Sequence, residues 1–572
     1  MKKTILNPRP VLCVLMAASL LTGCGGAPDH ADSGQPVAET TAAAAWEADG
    51  AAPAGDSGST PQESLAAPGS GFDGNVYNSA TMAGKYEAAY RTDSGASEEY
   101  SHIEESGFKS VEQEPLSTFS ADVDTASYTN IRRFIRSGQT VPKDAVRIEE
   151  MLNYFNYQYK EPQGQDPFSI TTEYAACPWN EENRLLLIGL KAKEIDFRDR
   201  PSSNLVFLLD VSGSMYSDDK LPLVQKAFTM LAENLDARDR VSIVTYAGYE
   251  SVVLDGVPGS DTAKIAAAID DLEAGGSTAG SAGIQKAYEL AQKHYIPGGN
   301  NRVILATDGD LNVGLTSEKD LTRLIEEKRK SGVHLSVLGV GTGNIKDNKM
   351  EALADNGDGN YSYLDSVFEA KKVLVDEMGG TLITVAKDVK VQVEFNPAYV
   401  AGYRLVGYEN RLLNKEDFHD DTVDAGEIGS GHTMTALYEL IPAGGSVRDT
   451  EPELKYQPRP EPSTETSNET ISAELLTVSL RYKAPNGDTS RLISHPVESV
   501  DYTSKLSDDL AFASAVAEFG MVLRDSENRG NADYDTVLAL AESCIRRDSD
   551  PYRKEFLELV QEAKGLYGNS QR

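Results

Sequence analysis

"NLVFLLDVSGSM", residues 204–215, runs from an uninterrupted apolar stretch into Asp210, Ser212 and Ser214, three oxygen-bearing side chains at alternating positions. An apolar run of this length that ends in a turn reads as a strand buried on both faces, as in a parallel sheet. The chain beyond it keeps that pattern. Between 203 and 378, strand-like runs alternate with helical ones: a helix through Leu223 to Leu235, RVSIVTYA, a short strand near Val252, helices at 261–273 and 281–295, RVILATD, a helix at 317–330, HLSVLGVG, a helix at 346–354, NYSYLD and a last helix to about 378. The alternation predicts an α/β domain, a mostly parallel sheet with helices on both faces. Ligands of such sheets bind at the carboxyl ends of the strands, which is where Asp210, Ser212 and Ser214 fall.

Two further oxygen donors belong to the same edge: Thr278 in the Gly-rich loop "GGSTAGSAG" and Asp308 at the end of RVILATD. Five hard oxygens with only two carboxylates suit Mg2+ or Mn2+, which prefer octahedral oxygen shells. The cation stays incompletely neutralised and keeps an open position. Asp310 and Asn312, just past Asp308, are candidates for supporting contacts.

Asp210-x-Ser212-x-Ser214 with Thr278 and Asp308 resembles the metal-ion-dependent adhesion site of von Willebrand factor type A domains, all five positions matching. "FSADVDTASYTNIRRFI", "VRIEEMLNYF", "CPWN", "ATDGDLNVG", "GYENRLL" and "DAGEIGSGHT" are similar to a bacterial lipoprotein family that carries a type A domain between a dedicated N-terminal segment and a C-terminal domain of unknown function. The resemblance spans about residues 115–567. It implies a Rossmann-like domain and a metal-dependent binding module, with no established reaction.

The first 24 residues read as a lipoprotein signal: Lys2 and Lys3, an apolar run from Val11 to Leu21, and "LTGC", which resembles a lipobox and makes Cys24 the lipidated residue. Residues 25–110 are rich in Ala, Gly, Ser, Pro, Asp and Glu without periodicity, as in a disordered acidic tether. Residues 111–200 form an N-terminal region of two helices and two strands. Asp124 is the expected cap of a helix whose face carries Tyr128, Ile131, Phe134 and Ile135, and Asp144 the cap of a second. "FSITTEYA" and "RLLLIGLKA" are the strands.

After the 203–378 domain, residues 387–500 read as a β-rich C-terminal domain, interrupted by a Pro-rich polar loop, and residues 503–567 as three helices, the last capped by Asp550 with Pro551 in its first turn. An isolated hairpin is marginal in water, so the 168–192 strands are expected to share one β-sandwich with the C-terminal strands. The α/β domain is then an insertion whose ends lie close together.

Weaker motifs favour plain readings. "ADNGDGNYSYLD", 354–365, lacks the ligands and closing Glu of a calcium loop and reads as a turn into a strand. "FHDDTVDAGEIG", 418–429, reads as a solvated acidic turn. Cys177 and Cys544 are expected as separate buried thiols, since the sequence holds no disulfide framework or CxxC pair.

The formal charge of −35 repels phosphate backbones and excludes nucleic acid as a partner. No HExxH, G-x-S-x-G or P-loop is present, and the seven histidines have no partner that sequence nominates. The expected function is therefore non-enzymatic: a lipid-anchored protein on the extracytoplasmic face of a cell membrane, whose metal site binds an Asp or Glu carboxylate of a protein partner. A metal-dependent hydrolase, or an accessory subunit of a channel or transporter, is the alternative.

Overall fold

The computed structural model describes residues 98–196, 198–276, 280–309, 318–447, 473–485, 487–545 and 550–568. Their strands form three sheets. The first has the order β1 (Lys109–Ser110), β12 (Val400–Val406), β14 (Thr433–Pro442), β4 (Arg184–Ala192), β3 (Phe168–Ala176), β17 (Tyr502–Thr503). The second runs β13 (Gly426–Gly429), β11 (Thr384–Phe395), β15 (Glu474–Lys483), β16 (Ser490–Glu498), with β2 (Leu116–Ser120) also paired to β11. The third runs β10 (Tyr361–Leu364), β9 (His334–Val340), β8 (Asn300–Thr307), β5 (Ser203–Asp210), β6 (Arg240–Tyr246), β7 (Glu250–Pro258).

Successive side chains of a strand point to opposite faces, so "RLLLIGLKA" needs cover on both sides. It has it. Leu186, Ile188 and Leu190 of β4 share a core with Val391 and Val393 of β11 and Val478 and Leu480 of β15, which makes the first two sheets a sandwich. Leu185 and Leu187 point the other way, into a helical layer built by Ala126–Arg136, Ile148–Asn153, Asp508–Arg524, Tyr534–Ile545 and Pro551–Tyr567. The N-terminal and C-terminal helices thus cover one sheet together. Cys177 and Cys544 both lie in this layer, buried and unbridged.

The third sheet is the expected α/β domain, with β7 antiparallel to β6 and the other neighbours parallel. Leu205, Phe207 and Leu209 of β5 pack with the helices Leu221–Ala232 and Thr262–Asp270. Val206 and Leu208 pack with Gly280–Lys293, Glu318–Arg329 and Asp347–Asp355 on the opposite face. The domain is an insertion between β4 and β11. Its two ends are stapled to adjacent residues: the Gly431 amide donates to the Lys193 carbonyl at 3.3 Å, and the Ser430 amide to the Ile383 carbonyl at 2.8 Å.

Several local expectations need correction. Residues 98–110, placed in the tether by composition, fold onto the body. Glu98 pairs with Arg133 at 2.9 Å and accepts from the Gly343 amide at 3.0 Å, while β1 pairs with β12. Strand β2 is not among the expected elements, which for 111–200 are two helices and the two later strands. Asp124 is not a helix cap: Thr125 holds that position, and the Asp124 carboxylate accepts from the Tyr361 amide at 2.8 Å and from Arg411 at 3.2 Å. Asp144 sits in a short 3-10 turn ahead of Ile148–Asn153 and accepts from the Ile103 amide at 3.1 Å. Asp550 caps its helix as expected, accepting from the Tyr552 amide at 2.8 Å.

Buried arginines clamp the insertion to the layers outside it. Arg132, with no exposed side-chain surface, reaches Asp365 at 2.6 Å and Glu369 at 2.8 Å. Arg147 reaches Asp347 at 2.5 Å, and Arg411 reaches Asp355 at 2.6 Å. Removing one partner from a buried ion pair strands the other charge, at a cost of about 3–5 kcal/mol. Arg132→Ala should therefore lower the unfolding free energy by about that much in denaturant titration. A loss below about 1 kcal/mol, the worth of a surface pair, would contradict the clamp.

Candidate metal centre

β5 lies at the middle of the third sheet, between β8 and β6, and its last residue, Asp210, pairs in register with Tyr246. The turn after it is fixed by backbone: the Val211 amide donates to the Tyr246 carbonyl at 3.0 Å, and the Gly213 amide to the Gly276 carbonyl at 3.0 Å. That second bond draws the Gly-rich loop onto the turn. Thr278, two residues past Gly276, lies outside the described residues, as do Asp310 and Asn312.

Four of the five sequence-nominated oxygens come together. The Ser212 amide donates to Asp210 Oδ1 at 2.8 Å, and Ser212 Oγ lies 2.9 Å from Ser214 Oγ. Asp308 follows β8 directly and is 1% exposed, and its charge is felt at Asp210. Gly309, next in the chain, has φ +96°, and a side chain there would meet the Lys346 amide nitrogen at 2.7 Å. The strand exit is therefore pressed against the 344–346 loop.

The donor set fits a small divalent cation. Adjacent ligands of an octahedral Mg2+ with bonds of 2.0–2.1 Å stand about 2.8–3.0 Å apart, a range that includes the 2.9 Å between the two serine hydroxyls. Asp210 Oδ2 accepts from Thr307 Oγ1 at 3.1 Å and from Tyr246 Oη at 3.2 Å. With the Ser212 amide these bonds fix the carboxylate plane. Sequence reading missed Thr307, Tyr246 and Lys220, whose Nζ is 2.8 Å from Asp308 Oδ2. Each owes its place to pairing between strands or to a distant loop.

A second group of carboxylates, Asp358, Asp424 and Glu427, brings one oxygen each within 4.8 Å of the others. Arg329 already pairs with Asp358 at 2.7 Å and Asp424 at 2.5 Å, so this cluster ties the insertion to β13. The acidic turn at 418–429 is accordingly divided: Asp421 accepts from Arg481 at 2.9 Å near the surface, while Asp424 and Glu427 face the insertion.

Comparison with known proteins agrees with this architecture. Residues 204–377 match the model of the von Willebrand factor type A domain, 94–187 that of von Willebrand factor, and 380–566 that of the C-terminal region of the uncharacterized protein YfbK. YfbK of Escherichia coli (strain K12) is 43% identical over 479 residues, covering 82% of each chain. The chain belongs to the YfbK family of von Willebrand factor type A domain proteins. The uncharacterized protein sll0103 of Synechocystis sp. (strain ATCC 27184 / PCC 6803 / Kazusa) is 31% identical over 190 residues, 33% of this chain and 43% of its own. Among solved structures, von Willebrand factor type A from Catenulispora acidiphila aligns with 71% of this chain and 92% of its own, at 15% identity and a TM-score of 0.41. The insertion is thus a type A domain, a class of module that often binds divalent metal and generally serves protein interaction.

In the metal-free type A domain, burial first and the Asp308 charge second push the Asp210 carboxyl up to about 6, against the opposing bonds from Ser212 and Thr307. A folded-state value above the unfolded one contributes stability that is full at low pH and is lost as pH rises through about 6. Carbon NMR of Asp210 in EDTA should show a midpoint near pH 6, and wild type should lose stability relative to Asp210→Asn between about pH 4 and 6. A midpoint in the ordinary carboxylate range would contradict the buried geometry.

Proposed function

We propose that the chain is a lipid-anchored, outward-facing binding module that uses one Mg2+ or Mn2+ to hold an Asp or Glu carboxylate of a protein partner. The observation that carries the reading is the convergence of Asp210, Ser212, Ser214 and Asp308 at the carboxyl edge of the central strands. Asp210 and Asp308 lie buried beneath, with Ser212; Ser214 is exposed, so the set opens to solvent on the hydroxyl side. Thr278, outside the described residues, is the fifth donor that the sequence motif nominates.

A bound divalent ion would contribute uncompensated positive charge at that opening, since one of its two protein carboxylates, Asp308, is already paired with the Lys220 ammonium. An external carboxylate completes such a shell favourably. The surrounding surface suits a protein partner. Tyr216, two residues past Ser214, is 82% exposed, and Tyr249, in the turn after β6, is 76% exposed. Tyrosine gives large contact area at low entropic cost and is enriched in interface cores.

In this reading Cys24 anchors the chain through lipid, ahead of the folded body whose described residues begin at Glu98. No helix among the described residues is long and apolar enough to cross a membrane. Fractionation tests this part: Cys24→Ala should leave the membrane fraction, and a variant still wholly membrane-bound would contradict the anchor.

The binding activity is tested by affinity capture from envelope extracts in Mg2+ and in EDTA, with wild type and Asp308→Ala, beside a hydrolase screen. Calorimetry accompanies it with Asp210→Ala/Ser212→Ala, whose Mg2+ affinity should fall about tenfold or more. One partner lost both in EDTA and in the variant is expected. Metal-dependent turnover without metal-dependent capture would replace a binding module by a hydrolase, in which the same ion activates water.

A further inference from the structure

Lys220 pairs with a carboxylate of the proposed metal site, and its position is built into the fold. It precedes the helix Leu221–Ala232, is 7% exposed, and extends its ammonium to 2.8 Å from Asp308 Oδ2. Its aliphatic stem crosses Gly341, at the exit of β9. Gly341 has φ +76°, and a Cβ there would sit 2.3 Å from Lys220 Cε and 2.4 Å from Cγ. Only glycine leaves this channel open. The Gly341 carbonyl is held in turn by Tyr363 Oη at 2.6 Å. A lysine so guided is not a mobile surface charge screened by water.

Its charge changes what the site can bind. The carboxylates of Asp210 and Asp308 with the Lys220 ammonium leave a net charge of −1, not −2. A divalent ion entering that set has a net +1 around it, and one added carboxylate brings the site to neutrality. On the basis of the metal reading above, we infer that Lys220 is a resident counter-cation that weakens divalent-ion binding and makes retention of the ion conditional on an external carboxylate. Ion and carboxylate are then coupled reciprocally, each raising the affinity for the other by the same factor. Lys220 acts through Asp308 as a positioning residue that sets the charge of the site.

Titration calorimetry of the full-length chain with Mg2+, in carboxylate-free buffer and with added acetate, tests this on wild type, Lys220→Met and Lys220→Arg. Lys220→Met should bind Mg2+ about tenfold to a hundredfold more tightly without acetate, the range expected for removing one nearby charge. Acetate should strengthen Mg2+ binding to wild type and to Lys220→Arg, and do so much less for Lys220→Met. The metal-free Lys220→Met protein should melt lower and be raised further by Mg2+ than wild type, because Asp308 is left buried without its partner. If Lys220→Met does not fold, Lys220→Gln carries the same comparison. Equal Mg2+ affinity and equal acetate dependence in all variants would overturn the role of Lys220 while leaving the metal site standing. No Mg2+ binding by any of them, wild type included, would overturn both.

Discussion

Strand β4 is covered on both faces, and this requirement organises everything outside the inserted domain. Leu186, Ile188 and Leu190 need a second sheet, and Leu185 and Leu187 need a helical layer. Neither layer can be built from the N-terminal region alone. β11 and β15 close one side and Asp508–Arg524 closes the other, so the chain must return after the type A domain to finish what β4 began. Fully burying an aliphatic side chain of this size is worth about 1.5–3 kcal/mol, so exposing either face of β4 would forfeit several such terms at once. The insertion follows from that closure. The chain leaves at Lys193 and comes back at Ile383, one residue apart on the 430–431 turn.

Two stapled ends alone would let the type A domain pivot. The buried arginines prevent it. Arg132, Arg147 and Arg411 each cross from the outer layers to carboxylates of the insertion, in sites from which water is largely removed. Such pairs contribute little net stability over an apolar contact, yet they cost much when mismatched, so they select one docking geometry. Glu98 and Glu99 extend the same logic to the entry of the folded body. Glu98 accepts from the Gly343 amide, and Glu99 exchanges backbone bonds with Ile345 and Asp347, in the loop that presses on Gly309 beside Asp308. The first described residues of the folded body are therefore joined to the loop beside Asp308.

Much of this was legible in the sequence because it rests on local pattern. The 203–378 alternation, the DxSxS turn at a strand end and the pairing of the flanking β regions all follow from periodicity and from the need to cover an apolar face. What failed has a common cause. Asp124 and Asp144 were read as helix caps because a capping aspartate and an interface aspartate look alike until the partner is known, and their partners Tyr361, Arg411 and Ile103 are remote in the chain or in the supposed tether. β1 and β2 are too short to show a period of two. Lys220 gives no signal at all: its contact with Asp308 depends on a glycine in another loop.

The proposed function rests on the charge of the site. One of its two buried carboxylates is offset by an ammonium and the other is held by hydrogen bonds, so a divalent ion placed there would keep a net positive charge. On that proposal the ion is held best when a partner supplies the missing oxygen. The most direct measurement is anomalous diffraction from crystals grown with Mn2+. The account predicts one strong peak about 2.0–2.2 Å from Ser212 Oγ and Ser214 Oγ, in the cradle formed with Asp308 and Asp210. A peak at Asp358, Asp424 and Glu427 with none at the serines would contradict it.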